Sequence, residues 1–287
     1  MTDLSILIPS RNEPYLYKTI EDVLKHAEGD IEIIYGWDAW DRNLDVLVDL
    51  EKLRHELYKI HGFEKVREVF VEKKSGFIGQ RALTNKLANI AKGKYLMKLD
   101  AHCSLSQGFD RKMVEAMEDN MVMTGLNCIL DVEGWTIRPK PFTTKYYFDE
   151  DLVFQNYNDF PRGEGKLVET MTIPGSMFMI SKENYHRLNL CDEAFGSWGF
   201  QGVETSCKMW LSGGRVVTNT DVFYGHMFRT KNLPYERKME DVLKAQSYAK
   251  EQFIEGKFKG IKPLSWLIDK FNPPGWSKQM LEYIHKT

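Results

Sequence analysis

The sequence predicts an α/β fold: a mainly parallel twisted sheet flanked by helices. Three observations point there. Short apolar runs alternate with amphipathic stretches through the first hundred residues, polar or glycine-containing turns separate them, and the alternation resumes near Met177. Leu4 to Pro9 reads as the first strand, closed by Ser10-Arg11-Asn12-Glu13-Pro14, and Tyr15 to His26 follows as a helix with Leu16, Ile20, Val23 and Leu24 at helical spacing. Ile31 to Tyr35 repeats the strand pattern, Leu44 to Ile60 the helix, Glu68 to Glu72 a third strand and Gln80 to Ala91 another helix ending at Gly93. Tyr95 to Leu99 is a fourth strand that ends on Asp100. In such a sheet the ligand crevice lies at the carboxyl ends of the strands, so residues at strand ends are the candidates for chemistry.

Beyond Asp110 the pattern changes. A helix over Arg111 to Asp119 and a strand over Met121 to Leu130 precede a polar, aromatic stretch from Asp131 to Glu169 with weak periodicity, the composition of specificity loops. Met177 to Ile180 and Arg215 to Thr218 read as strands, Lys182 to Leu188 and Glu204 to Leu211 as helices. Residues 1–230 are expected to form the main domain. Residues 231–287 are expected to form a basic, largely helical extension: from Arg229 onward 12 Lys plus Arg face 7 Asp plus Glu.

The 287 residues carry 39 basic and 41 acidic side chains, a net charge of −2, which excludes coating of nucleic acid by bulk charge. Cys103, Cys128, Cys191 and Cys207 are widely spaced without a CxxC, so neither a disulfide scaffold nor a thiolate zinc cluster is expected. The chain starts without a basic, apolar leader, which predicts a cytoplasmic protein with no membrane anchor.

The sharpest local feature is Lys98-Leu99-Asp100-Ala101-His102-Cys103. Past a strand end, residues i and i+2 can turn toward one ion, and a carboxylate with a neutral imidazole suits Mn²⁺ or a similar divalent metal. A surface turn with an N-capping Asp100 is the alternative reading.

With Asp-Ala-His-Cys, three further features complete a pattern: Ser5-Ile-Leu-Ile-Pro-Ser-Arg-Asn-Glu13, the Asn85 to Asp100 spacing, and the ordered segments Ser75-Gly-Phe-Ile78, Trp198-Gly199 with Glu204 to Gly214, and Tyr224-Gly-His-Met-Phe-Arg229. Together they resemble a family 2-type glycosyltransferase of the GT-A fold, most closely the catalytic domain of the polypeptide N-acetylgalactosaminyltransferases. The resemblance runs over roughly residues 3 to 231 and is weakest between 131 and 169.

The resemblance implies a site. Asp100 and His102 would bind Mn²⁺ or Mg²⁺ with His226 as the third protein ligand, and Arg229 would face the donor diphosphate; a core histidine is the alternative for His226 and a surface arginine for Arg229. Pro9, Arg11, Lys74 and Ala101 would approach the nucleotide-sugar, which the resemblance makes a UDP-sugar. The family's uracil-contacting Asp is Trp37 here, so Asp38 could take over or Trp37 could stack on the base, Trp37 and Trp40 being otherwise core or acceptor-side aromatics. Arg81 and Asn85, four apart on one helix face, could point into the same crevice, a structural role being the alternative for these two as for Pro9, Arg11 and Lys74. Pro174-Gly175-Ser176 and the Trp198 loop would wall the donor sugar. There the family's first acid reads Gln201 and only Glu204 keeps a carboxylate, which favours a retaining mechanism because glutamine cannot serve as general base.

Two other classes fit parts of the pattern: a metal-dependent phosphoesterase or pyrophosphatase using Asp100, His102 and His226, and a non-catalytic nucleotide-sugar or nucleic-acid binding module. The acceptor hydroxyl is expected on a protein Ser/Thr or on a hydroxymethylated base in DNA. For DNA, Lys231, Arg237, Lys238 and Lys244 would supply phosphate contacts, a solvated helix face being their alternative.

Overall fold

The computed structural model describes residues 2–40, 55, 59, 65–72, 76–157, 165–229, 234 and 238–286. The expected helix over Leu44 to Ile60 lies outside the described residues apart from positions 55 and 59, as do Lys74, Ser75, Lys231 and Arg237.

β1 (Leu4–Ser10) is buried along its whole length, as a strand sandwiched between helices must be. It lies between β4 (Tyr95–Leu99) and β2 (Ile31–Trp40), parallel to both, and β3 (Val66–Glu72) extends the sheet in parallel beyond β2. Alternation divides the core: Leu7 packs with Ile34, Leu83 and Leu87 on one face, Ile6 and Ile8 with Leu16, Ile20 and Ile33 on the other. The helices involved are α1 (Leu16–His26) and α2 (Gly79–Ile90). Buried Glu32 ties this half together, accepting from Ser5 Oγ at 2.6 Å, from the Lys92 amide at 2.5 Å after α2, and from Arg67 on β3.

The other half is mixed. β5 (Cys103–Leu105) and α3 (Phe109–Ala116) precede β6 (Met121–Asp131); then come the short strands β7 (Thr136–Ile137), β8 (Tyr146–Phe148), β9 (Phe154–Asn156) and β10 (Leu167–Glu169) in the segment read as loops. β11 (Met177–Ser181) runs antiparallel between β4 and β6. After α4 (Lys182–Arg187) and α5 (Gln201–Leu211), β12 (Arg215–His226) lies parallel to β6 and antiparallel to β10 and β5. β12 is three times the expected length because an irregularity between Asn219 and Phe223 interrupts its alternation and then lets it continue.

α6 (Met239–Phe253), α7 (Leu264–Phe271) and α8 (Lys278–Ile284) bury Ala245, Ala249, Phe253, Leu267, Ile268 and Ile284 in the same core cluster as Leu7 and Ile34. The C-terminal segment is thus part of the body that carries the site. Among the described residues no helix is long and apolar enough to cross a membrane.

Candidate active site

Two backbone pairings assemble the centre. The amide of Asp100, just past β4, donates to Ser176 O at 2.8 Å, which fixes the strand end against the 174–176 segment. β5 then pairs antiparallel with the end of β12, setting Cys103 opposite His226, and Met227 N donates to His102 O at 3.2 Å. His102 and His226 meet as a consequence: their Nε2 atoms are 3.1 Å apart, and Asp100 Oδ2 lies 3.3 Å from His226 Nε2.

The surroundings fix these groups. Glu13, 4% exposed, receives Oε2 contact from His102 Nδ1 at 2.9 Å and is gripped by the Arg229 guanidinium, whose Nη2 donates to Oε1 at 2.6 Å. With Nδ1 donating to Glu13, His102 presents the Nε2 lone pair to the cluster. On Asp100, Lys98 Nζ and Gln80 Nε2 both approach Oδ1, leaving Oδ2 toward the histidines. Burial alone would raise the Asp100 carboxyl, but the charge of Lys98 and the contact with His226 outweigh it and hold Asp100 well below the usual carboxylate range. Burial pushes His226 below its ordinary value against the pull of Asp100, so its imidazole is neutral at pH 7.

The three side chains fit a divalent ion. One ligand atom from each lies within 4.8 Å of the others. Two ligands at about 2.1 Å from an ion, at right angles, stand about 3 Å apart, close to the separation of the two imidazole nitrogens. A carboxylate with two neutral imidazoles is also a donor set that Mn²⁺ accepts.

Two cavities meet at this cluster, and Gln80, Asp100 and Trp198 line both. The smaller, about 100 Å³, opens over the carboxyl ends of β1 and β2 and includes Pro9, Arg11, Asp38, Ala101 and His102. At its mouth the Arg11 guanidinium stacks 4.1 Å from the centre of the Phe77 ring. The larger, about 520 Å³, reaches from His226 past Gly175 and Gln201 to Phe154, Phe228 and Gln246.

Not every expected residue faces these cavities. β2 continues five residues past Tyr35, and alternation carries Trp37 into the core, where it is 5% exposed and donates Nε1 to Glu68 at 2.9 Å; it offers no face to a base. Asp38 lines the smaller cavity, but its carboxylate accepts the Ile78 and Gly79 amides at 2.8 and 2.9 Å at the start of α2. Arg81 is turned away from the crevice: 2% exposed, it donates Nε to Glu204 at 3.1 Å and Nη2 to Gly199 O at 2.6 Å. Asn85 likewise faces the Cys191 carbonyl and Glu193. Glu204, fully buried, also accepts from Lys208 Nζ at 3.0 Å and the Asp192 amide at 2.8 Å. This network anchors the Trp198 loop, whose Phe200 adopts a left-handed φ of 56° at the mouth of α5. Gly202 is required behind it, since a Cβ there would lie 1.9 Å from Ile173 O.

Glu13, Lys98 and Gln80 received no role from the sequence. Glu13 is an acid just after the first strand end and Lys98 a lysine inside an apolar strand, and the second is a signal in itself: a charge at a buried strand position needs a partner.

Comparison with known proteins follows the same lines. A family model described as Glycosyl transferase family 2 matches residues 5–188. The chain is 27% identical over 259 residues to polypeptide N-acetylgalactosaminyltransferase 5 of Caenorhabditis elegans, covering 85% of this chain and 40% of that protein. It is 28% identical over 246 residues to polypeptide N-acetylgalactosaminyltransferase 3 of Taeniopygia guttata, covering 79% of this chain and 38% of that one. The chain therefore spans about two fifths of the length of these relatives. Among solved structures, GalNAc-T7 with UDP, GalNAc and Mn²⁺ superimposes with a TM-score of 0.77 at 19% identity, over 94% of this chain and 57% of the other.

Proposed function

Because this chain belongs to glycosyl transferase family 2, we propose that it is a metal-dependent glycosyltransferase that moves a sugar from a nucleotide diphosphate, UDP in our reading, to an acceptor hydroxyl. One observation carries the proposal: the Asp100, His102 and His226 cluster stands where a strand-end crevice joins a larger cavity, as a diphosphate linking nucleoside to sugar would require. A GalNAc-T7 structure with UDP, GalNAc and Mn²⁺, of the same fold, supports the choice of ligands.

Asp100, His102 and His226 would hold the ion, which when bound neutralises charge on the donor diphosphate. Glu13 keeps His102 in the ligating tautomer and holds the Arg229 guanidinium beside the cluster, a fixed positive charge for the leaving group. Trp198, lining both cavities, would seat the donor between them. Among the described residues lining the larger cavity, Asp100 is the sole carboxylate, and it is committed to the cluster. Glu204 lines neither cavity, and Gln201 has no basic lone pair to take a proton at neutral pH. This supports retention: the leaving phosphate oxygen takes the acceptor proton on the face where the new C–O bond forms and the old one breaks.

We take residues 1–230 as the catalytic unit and residues 231–287 as its extension, whose described helices α6 to α8 brace it and add Val242 and Gln246 to the larger cavity. Relatives named as polypeptide transferases make a Ser/Thr hydroxyl of a polypeptide the favoured acceptor. Of the lysines expected to meet DNA, Lys238 just before α6 and Lys244 within it are exposed, and no observation favours DNA over a peptide. The test is UDP release from a panel of UDP-sugars, with Mn²⁺ and with chelator; release that chelator leaves unchanged would refute the metal-dependent reading.

A further inference from the structure

Buried polar atoms in a folded protein are almost always paired, and a few unpaired ones gathered on one cavity wall mark where a ligand supplies the missing partners. The larger cavity has three. Asn127 on β6 is 4% exposed and its Oδ1 has no hydrogen-bond partner. Gln201, at the start of α5, is 5% exposed; its Nε2 reaches Cys191 Sγ at 3.0 Å while Oε1 has none. His226 Nδ1 is the third.

Their placement joins Asn127 to the centre. β6 and β12 run parallel with Asn127 opposite Tyr224, and His226 is two residues on along β12, so the three side chains share one face of the sheet. Tyr224 OH in turn lies 3.0 Å from Ser176 Oγ, on the segment that walls the same cavity. Gln201 stands over that segment from α5: a Cβ on Gly175 would sit 3.8 Å from Gln201 Oε1. Asn127 and Gln201 thus offer two carbonyl acceptors, and His226, when it ligates through Nε2, one N–H donor. Leu152, Phe154, Ile173 and Trp198 supply apolar surface between them. A ligand with several hydroxyls and a C–H face matches this set; a bare phosphate, which donates nothing, does not.

We propose that Asn127 is a specificity-determining residue: with Gln201 across the cavity, it accepts hydrogen bonds from hydroxyls of the transferred sugar and sets which epimer is bound. This rests on the donor reading above. It is tested by binding, so that it can fail separately from transfer. Calorimetry with Mn²⁺ would measure Kd for UDP, UDP-glucose, UDP-galactose, UDP-N-acetylglucosamine and UDP-N-acetylgalactosamine. In the wild type at least one sugar should bind several-fold tighter than UDP and than its own epimer. Asn127→Ala should bring that advantage and the epimer preference to within about twofold of unity with Kd for UDP within twofold of wild type, and Asn127→Asp, which keeps the acceptors, should retain the preference. If Asn127→Ala melts far below the wild type, Asn127→Leu, which keeps the volume and removes the acceptor, is read the same way. An unchanged preference in a folded Asn127 variant, or a wild type without preference, overturns the proposal. Binding with preference but no UDP release would refute the transferase reading instead and leave the role of Asn127 standing.

Discussion

His102 Nε2 and His226 Nε2 stand 3.1 Å apart although 124 residues separate them. The pairing of β5 with the last residues of β12 produces this contact, and the Met227 amide donating to His102 O locks its register. Two imidazole nitrogens that face each other lone pair to lone pair repel unless one donates or an ion lies between them, so the backbone holds a pair that only a shared proton or a cation satisfies.

His226→Ala should lower Mn²⁺ affinity at least tenfold and transfer by about two orders of magnitude, with stability changed by about 1 kcal/mol or less, because the partly exposed ring leaves Nδ1 without a partner and its removal orphans no buried charge. Asp100→Ala is different. It strips the ion-pair partner from Lys98, 1% exposed, leaving only the Gly175 carbonyl at 2.6 Å, and should cost about 3 kcal/mol in addition to abolishing transfer, whereas Asp100→Asn keeps an acceptor and should cost less. Titration with Mn²⁺ and thermal unfolding of the three variants decide this.

Glu13→Gln should weaken Mn²⁺ binding by roughly 10-fold to 100-fold, the usual effect of losing the carboxylate behind a ligating histidine, and should release Arg229 at the same time. The two effects separate in kinetics: the Mn²⁺ requirement rises through His102, and kcat at saturating Mn²⁺ falls through Arg229. A variant with wild-type Mn²⁺ affinity would show that Glu13 does not orient His102.

Arg81→Met should destabilise the protein by about 3 to 5 kcal/mol, because Glu204 would keep its charge in a fully buried place with Lys208 as its remaining cation. Arg81→Met with Glu204→Met should recover part of that loss, since an apolar pair needs no desolvated partner. Denaturant unfolding of both variants checks the order. The double variant should still transfer slowly, because Arg81 also ties down Gly199 O and the Trp198 loop.

Acid should loosen the attachment of α7. Glu169 accepts from Arg215 Nε at 3.1 Å and Lys270 Nζ at 2.7 Å. Burial would raise its carboxyl, but the two cations outweigh it and hold Glu169 below the usual value of 4.5. A carboxyl depressed in the folded state adds stability above its unfolded value and loses it as pH falls through the folded one. Glu169→Gln should therefore flatten part of the loss of stability below about pH 4.5, by under 1 kcal/mol since the pair is solvent-screened. Melting temperatures between pH 3 and pH 7 test it, and parallel curves for variant and wild type would contradict it.

How far the sequence carried can be seen at particular residues. Tyr95 to Leu99 is apolar apart from Lys98, and the strand ends as read, with Asp100 at its mouth. His226 was legible only by resemblance, because Asn219-Thr220-Asp221 looks like a turn while the structure absorbs it as an irregularity within one strand. Trp37 and Arg81 show where local reading ends. The family resemblance set Trp37, and helical spacing Arg81, at a crevice with a structural role as the alternative, and the structure decides for that alternative: strand length buries the first and a buried acid 123 residues away holds the second. Such long-range partners leave no periodic trace.

The anomeric outcome is the sharpest remaining test. An inverting transfer needs a carboxylate or similar base within reach of the acceptor hydroxyl. Glu204 is enclosed by Arg81, Lys208 and the Asp192 amide, and the Gln201 side chain is an amide with no basic lone pair at neutral pH. The product should therefore retain the donor's configuration, which NMR of the new linkage reads directly; an inverted linkage would refute the base-free mechanism. Gln201→Ala should slow transfer by about tenfold to a hundredfold without changing that configuration, since it removes an amide dipole from the cavity and no proton acceptor. Arg229→Ala should cost more, about a hundredfold to a thousandfold, because a fixed guanidinium acts on charge that builds only as the diphosphate leaves. If Gln201→Ala were the more damaging of the two, Gln201 and not the leaving-group charge would be the main support of the reaction.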